Sequence, residues 1–268
     1  MTETTTATPL TSESPGFFRM IWGVLAKPRA TFATLRSSQS RAWMLMAGLC
    51  LILVTLPLIA RGAVTSQQSR EQIQEQLQNQ PGFAEGSGDV EQAVSLATSP
   101  ILTIVLPAIG SVIGRILGWL LWSGALYLLA SMVGGRSNFL QVLKVVIWAW
   151  LPFALRSIVQ AIYMMATQAP IANQGLSGFA GMPVIDASNP FAIEMPSTGT
   201  AVLYAFLGQI DIYLFWYLAL LVLGITAVTK LSGRKSAGLV LVVWVVFMAI
   251  RLIGTAVTNS LTSGMLGG

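Results

Sequence analysis

The sequence predicts an all-α polytopic membrane protein with five transmembrane helices, preceded by amphipathic helices that lie at the membrane interface. Five long apolar stretches run through the chain, and the lysines and arginines fall in alternate connections between them. Hydrophobic residues make up 54% of the 268 residues and charged residues only 9%, whereas soluble domains are roughly 25% charged. We therefore expect lipid, rather than water, to be the main solvent of this chain.

The region before the first apolar stretch is predicted to hold a tail and two short helices. Residues 1–14 have little apolar surface to bury and are expected to be disordered. Within residues 15–41, the apolar run 17–25 is too short to cross a bilayer, and Pro28 opens a second short helix. This pattern favours interfacial helices, with helices packed on the bundle as the alternative. The aromatic residues expected among acyl chains are Phe17, Phe18, Trp22 and Phe32, and the basic residues expected to face phosphates are Arg19, Lys27, Arg29, Arg36 and Arg41.

Five spans follow from the lengths of the apolar runs within a membrane domain over residues 42–258. They are 42–60, 101–133, 142–166, 201–229 and 237–257, and a short tail follows at 259–268. The second run is longer than one crossing needs, which predicts a tilted helix, a protruding helix or a bend near Pro107 and Gly110. Pro152 lies inside the third span, and Lys144 marks its entry.

The connections predict how the spans are oriented. The two long connections, 61–100 and 168–200, carry net negative charge, while the N-terminal region and the short turns are basic. Because basic loops stay on the cytoplasmic side, we expect a multi-pass cell-membrane protein with its N-terminus in the cytoplasm and its C-terminus outside. The long connections are then extracytoplasmic. The turn between the last two spans adds three basic residues that are expected to meet anionic lipid headgroups, Lys230, Arg234 and Lys235.

Four charged residues within the spans form the candidate site: Arg115, Arg156, Asp211 and Arg251. Charges are costly in lipid and should face the bundle interior or water. At about 1.5 Å per residue, Asp211 is expected roughly 12–15 Å below the outer surface, and Arg156 and Arg251 roughly 8–13 Å below it. The depth of Arg115 stays open. The alternatives are an ion pair of Asp211 with Arg156 or Arg251, a functional polar cavity, and snorkelling towards headgroups.

Composition excludes most catalytic and metal chemistry. The chain has no histidine and a single cysteine, Cys50, inside the first apolar stretch. Ser-His and Cys-His nucleophiles, disulfides and imidazole or thiolate metal sites are therefore not expected. One embedded acid is too few for an aspartyl protease, and there is no phosphate-binding glycine motif. We expect a non-enzymatic protein without cofactor or metal, and without nucleic-acid binding, because its basic residues border the apolar segments.

Three segments resemble the bacterial branch of the Yip (Ypt-interacting protein) family. They are AKPRATFATL at 26–35, GGRSNFLQVLKVVIWAWLP at 134–152 and IDIYLFW at 210–216. The resemblance extends over about residues 17–258 and implies five spans preceded by a basic, Pro-containing segment. Eukaryotic relatives act in Golgi and endoplasmic-reticulum trafficking through Rab-type GTPases. This sequence lacks their Asp-Leu-x-Gly-Pro segment and has Ile147 and Trp148 where they have a Gly-Tyr pair, so the resemblance implies the architecture rather than Rab binding.

Two functional hypotheses follow. The leading one is a membrane-organising or adaptor protein whose basic helices and turn engage anionic lipid, a partner membrane protein or a second copy of the chain. The alternative is a small transporter or channel, because Arg156, Asp211 and Arg251 are expected to converge within a five-helix bundle.

Overall fold

The computed structural model describes residues 16–37, 41–78, 95, 99–181 and 196–266, and all regular structure in these ranges is helical. The predicted tail 1–14 and parts of both long connections lie outside them. Two short turns accompany the α-helices, a π-helical turn Ile101–Val105 before α4 and a 3-10 turn Ser177–Ala180 after α6. The α-helices are α1 Phe17–Ala26, α2 Pro28–Ser37, α3 Ala42–Gln78, α4 Leu106–Met132, α5 Phe139–Ala149, α6 Leu151–Thr167, α7 Thr198–Leu207, α8 Ile212–Thr229 and α9 Gly233–Leu266.

The predicted all-α fold with five membrane-spanning helices is confirmed. Within the described ranges, five helical segments are long and apolar enough to cross a membrane. They are Ala42–Val64, Ile101–Met132, Phe139–Thr167, Ile212–Thr229 and Gly233–Gly264. Several bounds nevertheless differ from those expected, because hydropathy marks where a chain can sit in lipid and not where a helix begins or ends.

The bundle has two distinct ends. The turn between α4 and α5 lies beside the C-terminus of α8, since the backbone N–H of Arg136 donates to the carbonyl oxygen of Thr229 at 3.0 Å. We call this the basic end, because Arg136, Lys230 and Arg234 are exposed there. The opposite end, from which the two long connections leave α3 and α6, is called the loop end.

The helix α5 forms the centre of the bundle, and every residue from 144 to 149 is buried. A capping box starts it: the Asn138 side chain accepts from the Gln141 backbone N–H at 2.8 Å, and the Gln141 side chain accepts in return at 3.2 Å. The helix ends at Ala149, and after Trp150 the helix α6 starts at Leu151, because Pro152 has no N–H to donate. Lys144, expected at the membrane entry, is instead buried six residues into this central helix.

The first and last spans extend beyond their predicted bounds, and the second begins irregularly. The first was expected to end at Arg61, but α3 continues to Gln78 because the Gln- and Glu-rich segment that follows favours helix. The second begins with a π-helical turn that becomes α-helical beside Pro107, whose missing N–H tolerates a wider turn. The last, α9, covers most of the predicted tail 259–268 and reaches Leu266. Both α3 and α9 are roughly 50 Å or longer, so they project past the hydrocarbon core.

The predicted fourth span, 201–229, is wrong as a single helix. The chain forms α7, bends at 208–211 and restarts as α8. Asp211 is extended, with φ −148° and ψ 174°, and its side chain accepts from the Leu214 backbone N–H at 2.8 Å, which is the geometry of an N-cap. Because α8 alone is 18 residues long, or about 27 Å, Asp211 lies at the end of this helix that faces the loop end. Its expected depth of roughly 12–15 Å stays a prediction.

The two N-terminal helices pack on the half of the bundle nearest the basic end. Met20, Val24, Phe32 and Leu35 are buried against it. The expectation that Phe32 sinks among acyl chains is therefore wrong, because its side chain lies in the protein core. The packed arrangement holds for one face of these helices, while the aromatic side chains Phe18 and Trp22 of α1 are exposed away from the bundle.

Candidate functional site

Three of the four predicted charged residues line one cavity. It encloses about 440 Å³ between α4, α6, α8 and α9, and its wall includes Arg115, Arg156 and Arg251. The fourth residue, Asp211, joins them through an ion pair, with its Oδ2 atom 3.0 Å from Nη1 of Arg156. The structure thus brings together all four side chains from four different helices.

These residues meet because they lie at one height. Each is about 18 residues, roughly 27 Å, from the end of its own helical segment at the basic end. This distance is close to the thickness of a hydrocarbon core, about 30 Å. We call the four residues the charged layer.

Both carboxylate oxygens of Asp211 are used. Oδ1 caps α8 and Oδ2 pairs with Arg156, while Nη2 of Arg156 donates to Oε1 of Gln174 at 3.3 Å. The two side chains of the pair are only 17% and 13% exposed. Of the alternatives for the partner of Asp211, the geometry selects Arg156 over Arg251.

A segment of the second long connection supports this pair, which the sequence analysis missed. The Leu176 backbone N–H donates to the Leu207 carbonyl oxygen at 3.0 Å, and the Tyr204 hydroxyl donates to the Ala172 carbonyl oxygen at 2.9 Å. Gly175 has a φ of +55°, and a Cβ there would lie 2.7 Å from the Ile210 carbonyl oxygen. The Asn-Gln-Gly triplet at 173–175 was the available signal, because such residues favour turns with positive φ.

We expect Gly175→Ala to destabilise the protein by more than the roughly 1–2 kcal/mol that a left-handed conformation costs a residue with a Cβ. The additional cost comes from the contact with the Ile210 carbonyl. Gly181→Ala is the matched control, since Gly181 has a φ of +61° but nothing within 4 Å of the added Cβ. Unfolding in mixed detergent–dodecyl sulfate micelles measures both variants. Equal losses would show that the loop does not pack on the bend.

Two arginines of the cavity have no carboxylate partner among the described residues. The Arg115 guanidinium lies 4.0 Å from the centroid of the Trp150 ring, a cation–π contact, and its Nε is buried without a hydrogen-bond acceptor. Arg251 is exposed at the rim of the cavity. With Arg156 neutralised by Asp211, the described part of the site keeps an excess of positive charge.

An aromatic layer lines the cavity on the side nearer the basic end. Its rings form a chain of contacts with centroids 5.1 to 6.1 Å apart. Trp122 stacks on Phe247 at 5.3 Å and meets Tyr217 edge-on at 5.7 Å. Each of these rings is three to seven residues, about 4–10 Å, closer to the basic end than the charged residue on its helix. The layer consists of Trp119, Trp122, Trp150, Phe153, Tyr217 and Phe247.

Residues 22–253 match the family model described as the Yip1 domain. The chain belongs to the Yip1 domain family. The match confirms the resemblance noted in the sequence and includes all four charged residues of the cavity. No curated protein and no solved structure matches the chain. Together with its five apolar helices, family membership makes this a multi-pass membrane protein.

The basic residues predicted to face lipid in this Yip1-domain protein do not line the cavity. Arg36 is half-buried, and its carbonyl oxygen accepts from Nε2 of Gln141 at 3.1 Å. A groove of about 500 Å³ between α1 and α2 is lined by Arg19, Trp22 and Lys27 among others. The remaining members of the predicted set are exposed: Arg19, Lys27, Arg29, Arg41, Lys230, Arg234 and Lys235.

Proposed function

We propose that this Yip1-domain protein is a non-enzymatic, membrane-organising protein that inserts α1 into the cytoplasmic leaflet and gathers anionic lipid there. The observation that carries the proposal is the two-faced character of α1. Met20 and Val24 are buried against the bundle, whereas Phe18 and Trp22 are 82% and 71% exposed. Exposed aromatic side chains beside basic ones are typical of helices that lie in a membrane interface.

The height of α1 and α2 on the bundle supports insertion into one leaflet. These helices contact α5 from its third residue, Gln141, to its tenth, Trp148, whose ring centroid is 6.1 Å from that of Phe17. This range is roughly 4–15 Å from the basic end, which matches the upper acyl chains of one leaflet when the hydrocarbon core begins near that end. Transfer of each large exposed aromatic side chain from water to lipid contributes about 1.5–3 kcal/mol.

The charge distribution supports an anionic lipid as the ligand. Arg19 and Lys27 line the groove between α1 and α2, and each basic side chain near an anionic leaflet contributes about 1 kcal/mol. By the positive-inside rule, the basic end faces the cytoplasmic side of the cell membrane, and the C-terminus lies outside the cell. This membrane-organising role needs no catalytic group.

We expect a fluorophore on a cysteine at position 18 or 22, in a Cys50→Ser background, to be quenched by lipids brominated on their acyl chains. Brominated phosphatidylglycerol should quench more than brominated phosphatidylcholine, and Arg19→Gln with Lys27→Gln should remove that preference. The control is a cysteine at the exposed Ser263, about 18 Å beyond Arg251 on α9, where no quenching is expected. Unquenched labels at 18 and 22 would refute insertion.

The same Ser263→Cys variant tests orientation. A membrane-impermeant thiol reagent applied to intact cells should label it, since the proposal puts the end of α9 outside. Labelling only after lysis would reverse the topology and move α1 to the outer leaflet.

The alternative hypothesis, a transporter or channel, draws support from the cavity. The aromatic layer opposes it, because stacked rings separate the charged residues from the basic end. A cavity with packed aromatic rings between its charged residues and the other end of the bundle is better suited to hold a ligand than to conduct one.

A further inference from the structure

We infer that the cavity at the loop end binds the phosphate group of an anionic amphiphile, with Arg115 and Arg251 as its charged partners. This site is independent of the proposed function, which concerns α1 and α2 at the other end of the bundle. The ligand class that fits best is an anionic phospholipid of the leaflet at the loop end.

The charges around the cavity favour an anionic ligand. Three guanidinium groups and one carboxylate meet around the cavity, and Asp211 is already engaged by Arg156. Within the described ranges no other carboxylate pairs with Arg115 or Arg251. Cations at membrane depth are costly unless they are compensated, and the planar fork of a guanidinium group fits phosphate oxygens with two parallel hydrogen bonds. An anion in the cavity would therefore lower the energy of both arginines.

Two hydrogen-bond donors of the cavity wall favour a ligand that offers acceptors. Arg115 Nε and Trp119 Nε1 are buried, both belong to residues of the cavity wall, and neither has an acceptor among the described residues. Trp119 is only 5% exposed, so bulk water does not serve its N–H group. Buried polar atoms normally find a partner. Both orphan atoms are donors, which points to a ligand that is rich in acceptors, as a phosphate group is.

The volume of the cavity and its distance from the basic end fit a phospholipid. A cavity of about 440 Å³ falls in the range of sites for organic ligands, and its aromatic floor offers an apolar surface next to the charged layer. The charged layer lies roughly 27 Å from the basic end. If the hydrocarbon core of about 30 Å begins at that end, the layer lies just below the lipid phosphates of the opposite leaflet. A phospholipid bound here would place its phosphate at the charged layer and the start of its acyl chains against the aromatic rings.

The test titrates the full chain, purified in a neutral maltoside detergent, with dioctanoyl-phosphatidylglycerol while tryptophan fluorescence is recorded. A Trp22→Phe background removes the signal from the groove between α1 and α2. We expect saturable binding, with dioctanoyl-phosphatidylcholine at least about tenfold weaker. Arg251→Gln should weaken phosphatidylglycerol binding by about tenfold or more, because one charge-assisted contact is lost, and Arg251→Lys should recover part of it.

Arg234→Gln is the matched control, since Arg234 is an exposed arginine at the basic end of the same helix. It should bind phosphatidylglycerol like the unaltered chain. Equal affinities of the Arg251→Gln and Arg234→Gln variants would overturn the site. Inorganic phosphate that binds as tightly as the lipid would overturn the amphiphile and assign the site to a soluble anion. Loss of lipid preference at positions 18 and 22 with unchanged titration of the cavity would reject the proposed function alone.

Discussion

Replacing Asp211 by alanine is expected to lower the free energy of unfolding by about 3–5 kcal/mol, the cost of leaving one member of a buried ion pair without its partner. The carboxylate has two structural roles, since it pairs with Arg156 at 3.0 Å and caps α8 through Leu214 at 2.8 Å. Neither side chain of the pair is more than 17% exposed, so solvent screens the pair weakly. Unfolding in mixed detergent–dodecyl sulfate micelles, followed by tryptophan fluorescence, measures the loss.

Two further variants separate the ion pair from the cap. Asp211→Asn removes the charge but keeps a good N-cap, so it should be about 1 kcal/mol more stable than Asp211→Ala. Combining Asp211→Asn with Arg156→Gln should cost less than the sum of the two single changes, because the pair is coupled. Additive losses would mean that Asp211 and Arg156 do not interact in the membrane.

Gly224→Ala is expected to cost about 1–3 kcal/mol, the usual penalty for overpacking a core. A Cβ at this position of α8 would collide with Cγ1 of Val145 and lie 3.3 Å from Cδ1 of Phe32. Val145 cannot move away easily, because it is fully buried in α5 and a β-branched side chain is stiff at χ1. The measurement is again the unfolding midpoint, read together with protease sensitivity of α2.

Two further variants test whether the contact with Val145 causes the loss of stability. Val145→Ala in the Gly224→Ala background makes room and should restore part of the stability. Gly114→Ala, on α4, should leave stability unchanged or raise it slightly, since nothing lies within 4 Å of its added Cβ. If Gly224→Ala is as stable as Gly114→Ala, then α8 does not pack closely against Val145 of α5 as the structure shows.

The aromatic contacts show why composition alone did not reveal the cavity floor. Trp122 and Phe247 are 125 positions apart in the sequence and yet stack at 5.3 Å. Aromatic residues in membrane helices usually mark the interface, so no sequence pattern separates the rings of this layer from those of an interface. Only the packing of α4 against α9 brings them together.

The break before α8 was present in the sequence but was hidden by apolar length. Asp211 followed by an apolar run is a helix-start signal, yet residues 201–229 are apolar enough to be taken as one span. The opposite occurred in α3, where Arg61 ends the apolar run without ending the helix. Hydropathy indicates whether a segment lies in lipid or in water, whereas backbone hydrogen bonding decides where a helix begins and ends. Only inside the membrane does an apolar segment have to be helical, so outside it hydropathy does not predict the helix bounds.

The sequence by itself determined that this chain is helical and crosses a membrane five times, because apolar segments in lipid must satisfy their own backbone hydrogen bonds. It also predicted that Arg156, Asp211 and Arg251 lie at similar heights, because the rise per residue is constant, while the height of Arg115 stayed open. The tertiary structure decided which of them pair and which face of α1 is buried. Those choices depend on the rotation of each helix about its axis, which close packing around α5 sets and no local pattern encodes.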